Sequence, residues 1–415
     1  MGRIRKKLVI LLLAFSFIVT ACGEAVPSAP IETLQPNPVQ SGEDMPEQQS
    51  LYAEDYNVLW ETLESAYPYL PYLEEQGIDI EGLRRRYASE LESVDSEDEF
   101  YALVQSLLGE LRNFAHLNLV TPELYQSYYY IYMLNDGLVG EDNSAPFKAV
   151  LLSPNLSERY QPPESLESDE AQETAEPGSG SSYMYYSDCD ALYIKIPSFA
   201  QELVEKDSGI VYDALEKYTE AEHIIFDIRG NSGGSDRYWM DNLVAPLGGS
   251  FGFSYRCYYR ASEIFDSYYA ALETMPVSDI GDAPDWVEKL GLDRYCYYGV
   301  EMALPGESGS EVLQGEYKRW LLIDENVYSA SEKFACFCKA TGWATVVGKP
   351  TAGDGLGPTP ILVMLPDSGL LVRFSCEVGE NPDGTINAVV GTSPDVLCIK
   401  EETALECCLE TIRGN

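Results

Sequence analysis

The chain has 415 residues and a formal net charge of −41, from 68 acidic and 27 basic residues. This excess of negative charge argues against nucleic acid as a partner and against direct binding to anionic lipid headgroups. The length exceeds that of one ordinary domain, so we expect a helical subdomain beside a larger core.

The first segment has the parts of a secretory signal. Basic residues open it, an apolar run covers residues 8–19, and the letters VTAC end at Cys22. The run is shorter than the roughly 20 residues of a membrane-spanning helix. VTAC resembles a bacterial lipobox, which implies removal of residues 1–21 and lipidation of Cys22, although a plain secretory signal with a chance cysteine is an alternative. We therefore expect a cell-envelope protein that is lipid-anchored on the outer side of the bacterial cytoplasmic membrane.

The next two segments differ in composition. Residues 22–50 are rich in Pro, Ser and Glu without apolar periodicity, which predicts a disordered tether. Residues 51–113 carry apolar residues at helical spacing in three stretches, and Ser96 with Glu99 forms a capping box before the third. This pattern predicts an N-terminal helical subdomain.

The remainder, residues 114–415, is predicted to be an α/β core with a partly parallel sheet. The runs HIIFDI and RWLLID indicate buried strands, each followed by a helix, and ILVML and LLVRFS form a hairpin over PDSG. Residues 155–182 are predicted to be an exposed loop, and an irregular aromatic-rich region extends from the helix after Gly234 to about residue 315. Residues 121–150 are rich in tyrosine and show no clear apolar period, so the sequence does not assign them to helix or strand.

Cysteine usage gives little sign of a disulfide framework or a metal site. Nine cysteines remain besides Cys22, an odd number that cannot pair completely within one chain. Their spacing does not fit zinc ligands, so we expect most of them to be buried thiols and expect no metal.

Two stretches carry residues that suit chemistry. FDIRGNSGG places Gly233 and Gly234 after a buried strand, where backbone amides can face a ligand or an oxyanion, although a tight turn would use the same glycines. YSASEKF places Ser329 three residues before Glu332, which is the spacing of a capping box. A strand-to-helix junction is also where hydrolases expose a nucleophilic serine, so Ser329 is either a cap or a nucleophile.

Together these motifs resemble a known family. DIRGNSGG, SASEKFA…TGWATVVGKPTAG and GTSPDV are similar to motifs of the C-terminal processing peptidases, or tail-specific proteases, whose relatives include the tricorn core protease. The helices that end in LLGELRNFAHLNL resemble the tricorn-like branch. The resemblance implies a crotonase-like (ClpP-like) core and a serine peptidase that acts on peptide or protein substrates without a cofactor. It makes Ser329 the nucleophile, with Ser331 as an alternative.

A helix N-terminus favours negative charge, so the amide of Ala330 can share an oxyanion with the amide of Gly233 or Gly234. The base differs from that of the better-known branch, which places a lysine twenty-five residues after the serine. That position holds Asp354, and Lys349 is a poor substitute. The tricorn-like branch uses a histidine instead, which corresponds to His116.

Imidazole, with an ordinary pKa near 6.5, suits proton transfer between serine and leaving group. The second histidine, His223, starts a buried strand and is predicted to be structural. The third member of the site is open, because the position aligned with the family glutamate holds Asn387 or Ala388. We consider Asp354, Glu377 and Glu380 as the carboxylate that orients His116.

Other departures from the family keep a second reading open. Ala115 stands where the family has a serine before its histidine, and residues 121–190 show no convincing PDZ signature. The alternative to a peptidase is therefore a catalytically inactive lipoprotein that binds peptides in the same cleft. A purely structural lipoprotein would leave the glycine motif unexplained.

Overall fold

The computed structural model describes residues 50–134, 141–162, 180–248, 251–302, 317–398 and 403–414. The predicted signal peptide, Cys22 and all but the last residue of the predicted tether lie outside these residues. In the described part of the chain, no helix has the length and apolar character needed to cross a bilayer.

Four helices precede the core, one more than the period of apolar residues predicts. They are α1 (Ala53–Ala66), α2 (Leu70–Glu75), α3 (Ile80–Leu91) and α4 (Glu97–Glu110). Helix α2 is too short to show a period. Half of the predicted capping box forms at α4, where Ser96 Oγ accepts from the Glu99 amide (3.3 Å). The Glu99 carboxylate accepts from the amide of Asp95 (2.9 Å), the residue before the N-cap, and not from that of Ser96.

The helical region is fastened to the core by a buried carboxylate. Asp55 of α1 is fully buried and accepts the backbone amides of Asp367 (2.6 Å) and Ser368 (2.8 Å). These two residues form the turn of the predicted PDSG hairpin. The apolar faces of α1, α3 and α4 belong to the same buried cluster as the core strands.

A six-stranded sheet forms the centre of the core, with strand order β13-β9-β8-β4-β3-β2. All neighbours in it are parallel except the β2–β3 pair. Its strands are β2 (Ser182–Tyr186), β3 (Ala191–Lys195), β4 (His223–Asp227), β8 (Lys318–Ile323), β9 (Thr345–Gly348) and β13 (Val396–Leu397). Strand β4 is buried at every residue, as its continuous apolar run predicts.

Two smaller sheets complete the core. The first has the order β1-β11-β10 and contains the predicted hairpin; its strands are β1 (Asn118–Leu119), β10 (Ile361–Met364) and β11 (Leu371–Phe374). The second has the order β12-β5-β7-β6; its strands are β5 (Phe251–Tyr259), β6 (Met275–Pro276), β7 (Arg294–Met302) and β12 (Glu377–Gly379). The prediction of an irregular region is wrong for β5 and β7. The end of β5 is buried on both faces at Cys257, Tyr258 and Tyr259, so the sequence there lacks the alternation of apolar and polar residues that marks a half-exposed strand.

The remaining helices connect and cover the strands. They are α5 (Pro122–Tyr129), α6 (Glu141–Leu151), α7 (Leu203–Lys217), α8 (Asp236–Trp239), α9 (Ala245–Leu247), α10 (Glu263–Tyr269), α11 (Asp285–Lys289), α12 (Ala330–Thr341), α13 (Asn387–Val390) and α14 (Ala404–Gly414). The tyrosine-rich region after residue 121 is thus largely helical, with a π-helical segment at Tyr130–Leu134. Residues 163–179 of the predicted loop lie outside the described residues.

The cysteines agree with the prediction of thiols. Seven of the nine described cysteines are buried, and Cys189 and Cys407 are partly exposed. None of the nine forms a disulfide bond in the described structure.

Candidate active site

Ser329 lies between the end of β8 and the first residue of α12. It occupies the N-cap position, but its side chain makes no capping hydrogen bond. Its Oγ is instead 3.1 Å from His116 Nε2. The interpretation of Ser329 as a helix cap is therefore wrong for this structure, and the partner expected for the capping box, Glu332, is turned to Asn387 and Thr392.

The backbone of Ser329 has an unusual conformation, with φ 59° and ψ −124°. Positive φ is rare for non-glycine residues and concentrates at functional sites, where surrounding structure holds it. Here the Ser329 amide donates to Gly353 O (3.2 Å), and the Tyr328 amide donates to Asn231 O (3.3 Å). These bonds fix a sharp strand-to-helix turn that presents the hydroxyl, as in the nucleophile elbow of hydrolases.

His116 lies on the turn between α4 and β1 and is 6% exposed. Its Nδ1 is 2.5 Å from Asp354 Oδ2 and 3.1 Å from Ser375 Oγ. An ionised carboxylate can only accept, so Nδ1 carries the proton and the Nε2 lone pair faces the hydroxyl of Ser329. This is the tautomer that a general base needs.

Asp354 is the one candidate third member that contacts His116. Glu377 accepts from the Cys376 thiol (3.1 Å), while Glu380 accepts from Arg256 (2.8 Å) and Tyr258 (2.9 Å). Neither glutamate bonds to His116 in the described structure, so neither is the carboxylate that orients its imidazole there. Asp354 comes into place because it follows Gly353 in a loop that passes beside the start of α12.

The electrostatic environment keeps Asp354 ionised. Burial alone would raise the pKa of this carboxyl, but the electrostatic interaction with the His116 imidazole and hydrogen bonds from His116, Tyr328 and Ser375 outweigh burial and lower the pKa. The Tyr328 hydroxyl donates at 2.6 Å and the Ser375 hydroxyl at 3.3 Å. Tyr328 and Ser375 are the two neighbours of this carboxylate that the sequence motifs do not predict.

The glycine motif lies against the serine. A Cβ on Gly233 would lie 2.8 Å from Ser329 Cβ and 3.0 Å from the Ala330 nitrogen, and Gly233 has φ 102°. The Gly233 amide, however, donates to Asn231 Oδ1 (2.9 Å) and is therefore directed away from an oxyanion. The Ala330 amide, at the first position of α12, and the Gly234 amide are the remaining candidates for that role.

Asn387, one of the two residues aligned with the family glutamate, has a supporting role. Asn387 Oδ1 accepts the Gly355 amide (2.9 Å), and Asn387 Nδ2 donates to Glu332 Oε1 (2.6 Å). Asn387 thus joins the loop that carries Asp354 to helix α12. It makes no hydrogen bond to His116 among the described contacts.

The alternative site residues lie elsewhere. Ser331 is fully buried and donates to Asn231 Oδ1 (2.6 Å). Lys349 is exposed and pairs with Glu325 (3.2 Å). His223 accepts from Trp320 Nε1 (3.1 Å) within the core. In the described part of the chain, no cluster of three or more His, Cys, Asp or Glu side chains is arranged to hold a metal.

Two family models match this chain. The model "Peptidase family S41" matches residues 190–398, just over half of the chain, and "Tricorn protease C1 domain" matches residues 50–109. The chain belongs to peptidase family S41. The resemblance predicted from the motifs is therefore confirmed, and the tricorn match covers the helices α1 to α4.

Solved structures extend the likeness of this S41 peptidase. A putative peptidase from Parabacteroides merdae has 18% identity and a TM-score of 0.51, covering 86% of this chain and 96% of its own. A lipoprotein from Streptococcus agalactiae has 14% identity and a TM-score of 0.48, covering 90% of this chain and 99% of its own. The family supports a ClpP- or crotonase-like α/β fold, which confirms the predicted fold class.

Proposed function

We propose that this S41 member is an active serine peptidase with Ser329 as nucleophile, His116 as general base and Asp354 as the carboxylate that orients it. The observation that carries the proposal is the chain of contacts Ser329 Oγ–His116 Nε2 (3.1 Å) and His116 Nδ1–Asp354 Oδ2 (2.5 Å). Nucleophile, base and orienting group in hydrogen-bond contact are the arrangement that activates a serine hydroxyl.

Acyl transfer would proceed in two steps. Ser329 Oγ attacks the peptide carbonyl carbon while its proton passes to His116 Nε2, and the oxyanion is held by the amides of Ala330 and Gly234. The proton then passes to the leaving amine as the peptide bond breaks. Water, activated by the same imidazole, attacks the acyl-enzyme and releases the carboxylic acid and the free serine.

We further propose that the mature protein is tethered outside the cytoplasmic membrane through a lipid on Cys22. The support is the VTAC sequence after a basic and apolar leader. Metabolic labelling of the full-length chain with a fatty-acid probe tests this, with Cys22→Ser as the control. Equal or absent incorporation in the two chains would reject the anchor, and a free periplasmic or secreted protein would take its place.

The substrate is proposed to be a peptide or a flexible protein tail. A lipid anchor would restrict it to chains that reach the outer membrane surface. The missing PDZ signature in residues 121–190 suggests that the cleft itself selects the substrate.

Labelling of the full-length protein with a fluorophosphonate probe tests the peptidase proposal, because an activated serine attacks the phosphorus of such a probe, expels fluoride and becomes phosphonylated. The matched variants are Ser329→Ala against Ser331→Ala, and His116→Ala against His223→Gln. We expect labelling to disappear only in Ser329→Ala and His116→Ala. A folded wild-type protein without labelling would contradict the proposal and favour the inactive peptide-binding lipoprotein.

A further inference from the structure

Tyr328 connects three parts of the site, two of them through its hydroxyl. It accepts the backbone amide of His116 (3.0 Å) and donates to Asp354 Oδ2 (2.6 Å). The tyrosine ring lies against the imidazole of His116, with ring centroids 4.7 Å apart. Tyr328 also directly precedes Ser329, so one residue connects the serine turn, the histidine loop and the carboxylate.

The loop that carries His116 needs support from outside. Arg112, Asn113, Ala115 and His116 have φ values between 47° and 64°, in the left-handed region. Non-glycine residues remain in this region only where neighbouring groups hold them. Without such contacts the loop would relax and carry the imidazole away from Ser329.

Besides the hydrogen bonds within the loop and to α4, three hydrogen bonds join its backbone to other elements of the described structure. Tyr67 donates to Phe114 O (2.8 Å), and the Ser375 amide donates to Ala115 O (2.9 Å). The third is the bond from His116 to Tyr328. Of the three donor or acceptor groups, only the Tyr328 hydroxyl also bonds to the carboxylate of Asp354.

The Ser375 hydroxyl reaches the same pair from a different strand. Its Oγ lies 3.1 Å from His116 Nδ1 and 3.3 Å from Asp354 Oδ2. Tyr328, Ser375 and the imidazole therefore all direct protons at one carboxylate oxygen. Burial raises the pKa of the Tyr328 phenol first, and the neighbouring Asp354 raises it further, so this hydroxyl stays a donor.

We propose that Tyr328 is a positioning residue that fixes the tautomer and orientation of His116 through Asp354, with Ser375 as a second support. The expected effect of Tyr328 on catalysis rests on the proposed peptidase function, whereas its effect on the tautomer and orientation of the His116 imidazole does not. A tyrosine that served packing alone would act through its ring. Removal of the hydroxyl separates these two roles.

The decisive variant is Tyr328→Phe, which keeps the ring and deletes the hydroxyl. Ser375→Ala deletes the second donor. The matched control is Tyr128→Phe, because Tyr128 is buried and its hydroxyl donates to a backbone carbonyl, Pro360 O (3.1 Å), outside the His116 contacts. Thermal unfolding of all three variants verifies that they are folded.

The readout is the imidazole itself. The chain has two histidines, so ¹⁵N-histidine labelling of the full-length protein gives two sets of ring resonances, and His223→Gln assigns them. We expect the His116 proton on Nδ1 in the wild type and a mixture of tautomers in Tyr328→Phe. The fluorophosphonate rate should fall about ten- to hundred-fold in Tyr328→Phe, less in Ser375→Ala, and not in Tyr128→Phe.

Unchanged His116 resonances and an unchanged rate in Tyr328→Phe would overturn the inference. If the wild type shows no labelling but the His116 tautomer still depends on the Tyr328 hydroxyl, the peptidase function falls and the positioning role stands. If Tyr328→Phe does not fold, Ser375→Ala decides with the same resonances. A wild-type spectrum in folded Ser375→Ala would then count against the inference.

Discussion

Glu332 Oε1 accepts a hydrogen bond from Asn387 Nδ2 at 2.6 Å, deep in the core behind the serine turn. It also accepts from Thr392 Oγ1 (2.7 Å), while Oε2 has no partner among the described atoms. The residue that has the sequence spacing of a helix cap thus holds α12 to the segment that supports the Asp354 loop.

This burial predicts a pH dependence of stability. Burial raises the pKa of Glu332 from an ordinary value of 4.5 to about 7, although the nearby polar side chains of Thr351, Thr392 and Asn387 act to lower it. At a pH between these two pKa values, the carboxyl of Glu332 is protonated in the folded chain and ionised in the unfolded chain. The free energy of unfolding therefore falls as pH rises from about 4.5 to about 7 and then levels off. The loss from this group is about 3 kcal/mol.

Glu332→Gln should flatten this fall, since the amide keeps an acceptor for Asn387 and does not titrate. Urea unfolding at a series of pH values measures it, with Glu325→Gln as the exposed control. Glu377, whose pKa burial raises to about 8, acts in the same direction and should leave a residual slope. An identical slope in wild type and Glu332→Gln would contradict the assignment.

The glycine motif offers a second prediction with an internal control. Gly233→Ala would place a methyl group 2.8 Å from Ser329 Cβ, in addition to backbone strain at φ 102°. Gly230→Ala carries similar strain at φ 80° but meets no atom within 4 Å. Each variant should lose on the order of 1–3 kcal/mol from strain.

Only Gly233→Ala should also lose fluorophosphonate labelling, by about a hundred-fold, because the serine turn must move. Labelling rates and urea unfolding of both variants measure the difference. Equal labelling by the two would show that Gly233 serves the turn alone and leaves the position of Ser329 unaffected.

The sequence predicts well those features that are local. The buried strand β4, the hairpin of β10 and β11, and helix α12 each have a period or a turn signal within a few residues. The motif resemblance adds the proximity of Ser329 and His116, which are 213 residues apart. Resemblance supplies this pair because both residues belong to motifs that recur in the family.

The contacts that complete the site join residues far apart in the chain, and the motifs do not predict them. Ser375 is 259 residues from His116, and its approach depends on the pairing of β11 with β1. Asp354, Glu377 and Glu380 could not be separated by sequence because all three follow short loops or strands in the same region. Their distances from His116 depend on the path of the Gly353 loop, which only the fold determines.

The fastening of α1 gives a prediction about stability. Asp55 is fully buried and accepts two backbone amides of the hairpin turn. Asp55→Ala leaves both amides without a buried acceptor, which should cost about 2–4 kcal/mol of unfolding free energy. The neighbouring exposed Glu54→Ala serves as control and should stay within about 0.5 kcal/mol of wild type.

Urea unfolding of the two variants measures this cost. Because the helical region also carries the loop of His116, fluorophosphonate labelling of Asp55→Ala should weaken at denaturant concentrations below those that unfold the wild type. Equal urea-unfolding midpoints for Asp55→Ala and Glu54→Ala would contradict the prediction and mean that water replaces the carboxylate without loss of stability.

Asp354 offers the sharpest test of the site, because its substitution can be made without disturbing the backbone. Asp354 has φ 56°, and asparagine is among the few residues that tolerate this conformation. Asp354→Asn also preserves shape, but the amide can donate to Nδ1 and so favours the wrong tautomer. We expect normal folding and a fall in labelling rate of up to about 10⁴-fold, as in other serine triads that lose their carboxylate.

Glu377→Gln is the matched control for this substitution. Burial raises the pKa of Glu377 to about 8, so near pH 7 this side chain is mostly neutral and the amide should change labelling little. Labelling rates of both variants at pH 7 provide the comparison. A rate that falls in Glu377→Gln and holds in Asp354→Asn would move the orienting role to Glu377 and leave the contact between Asp354 and His116 without a catalytic consequence.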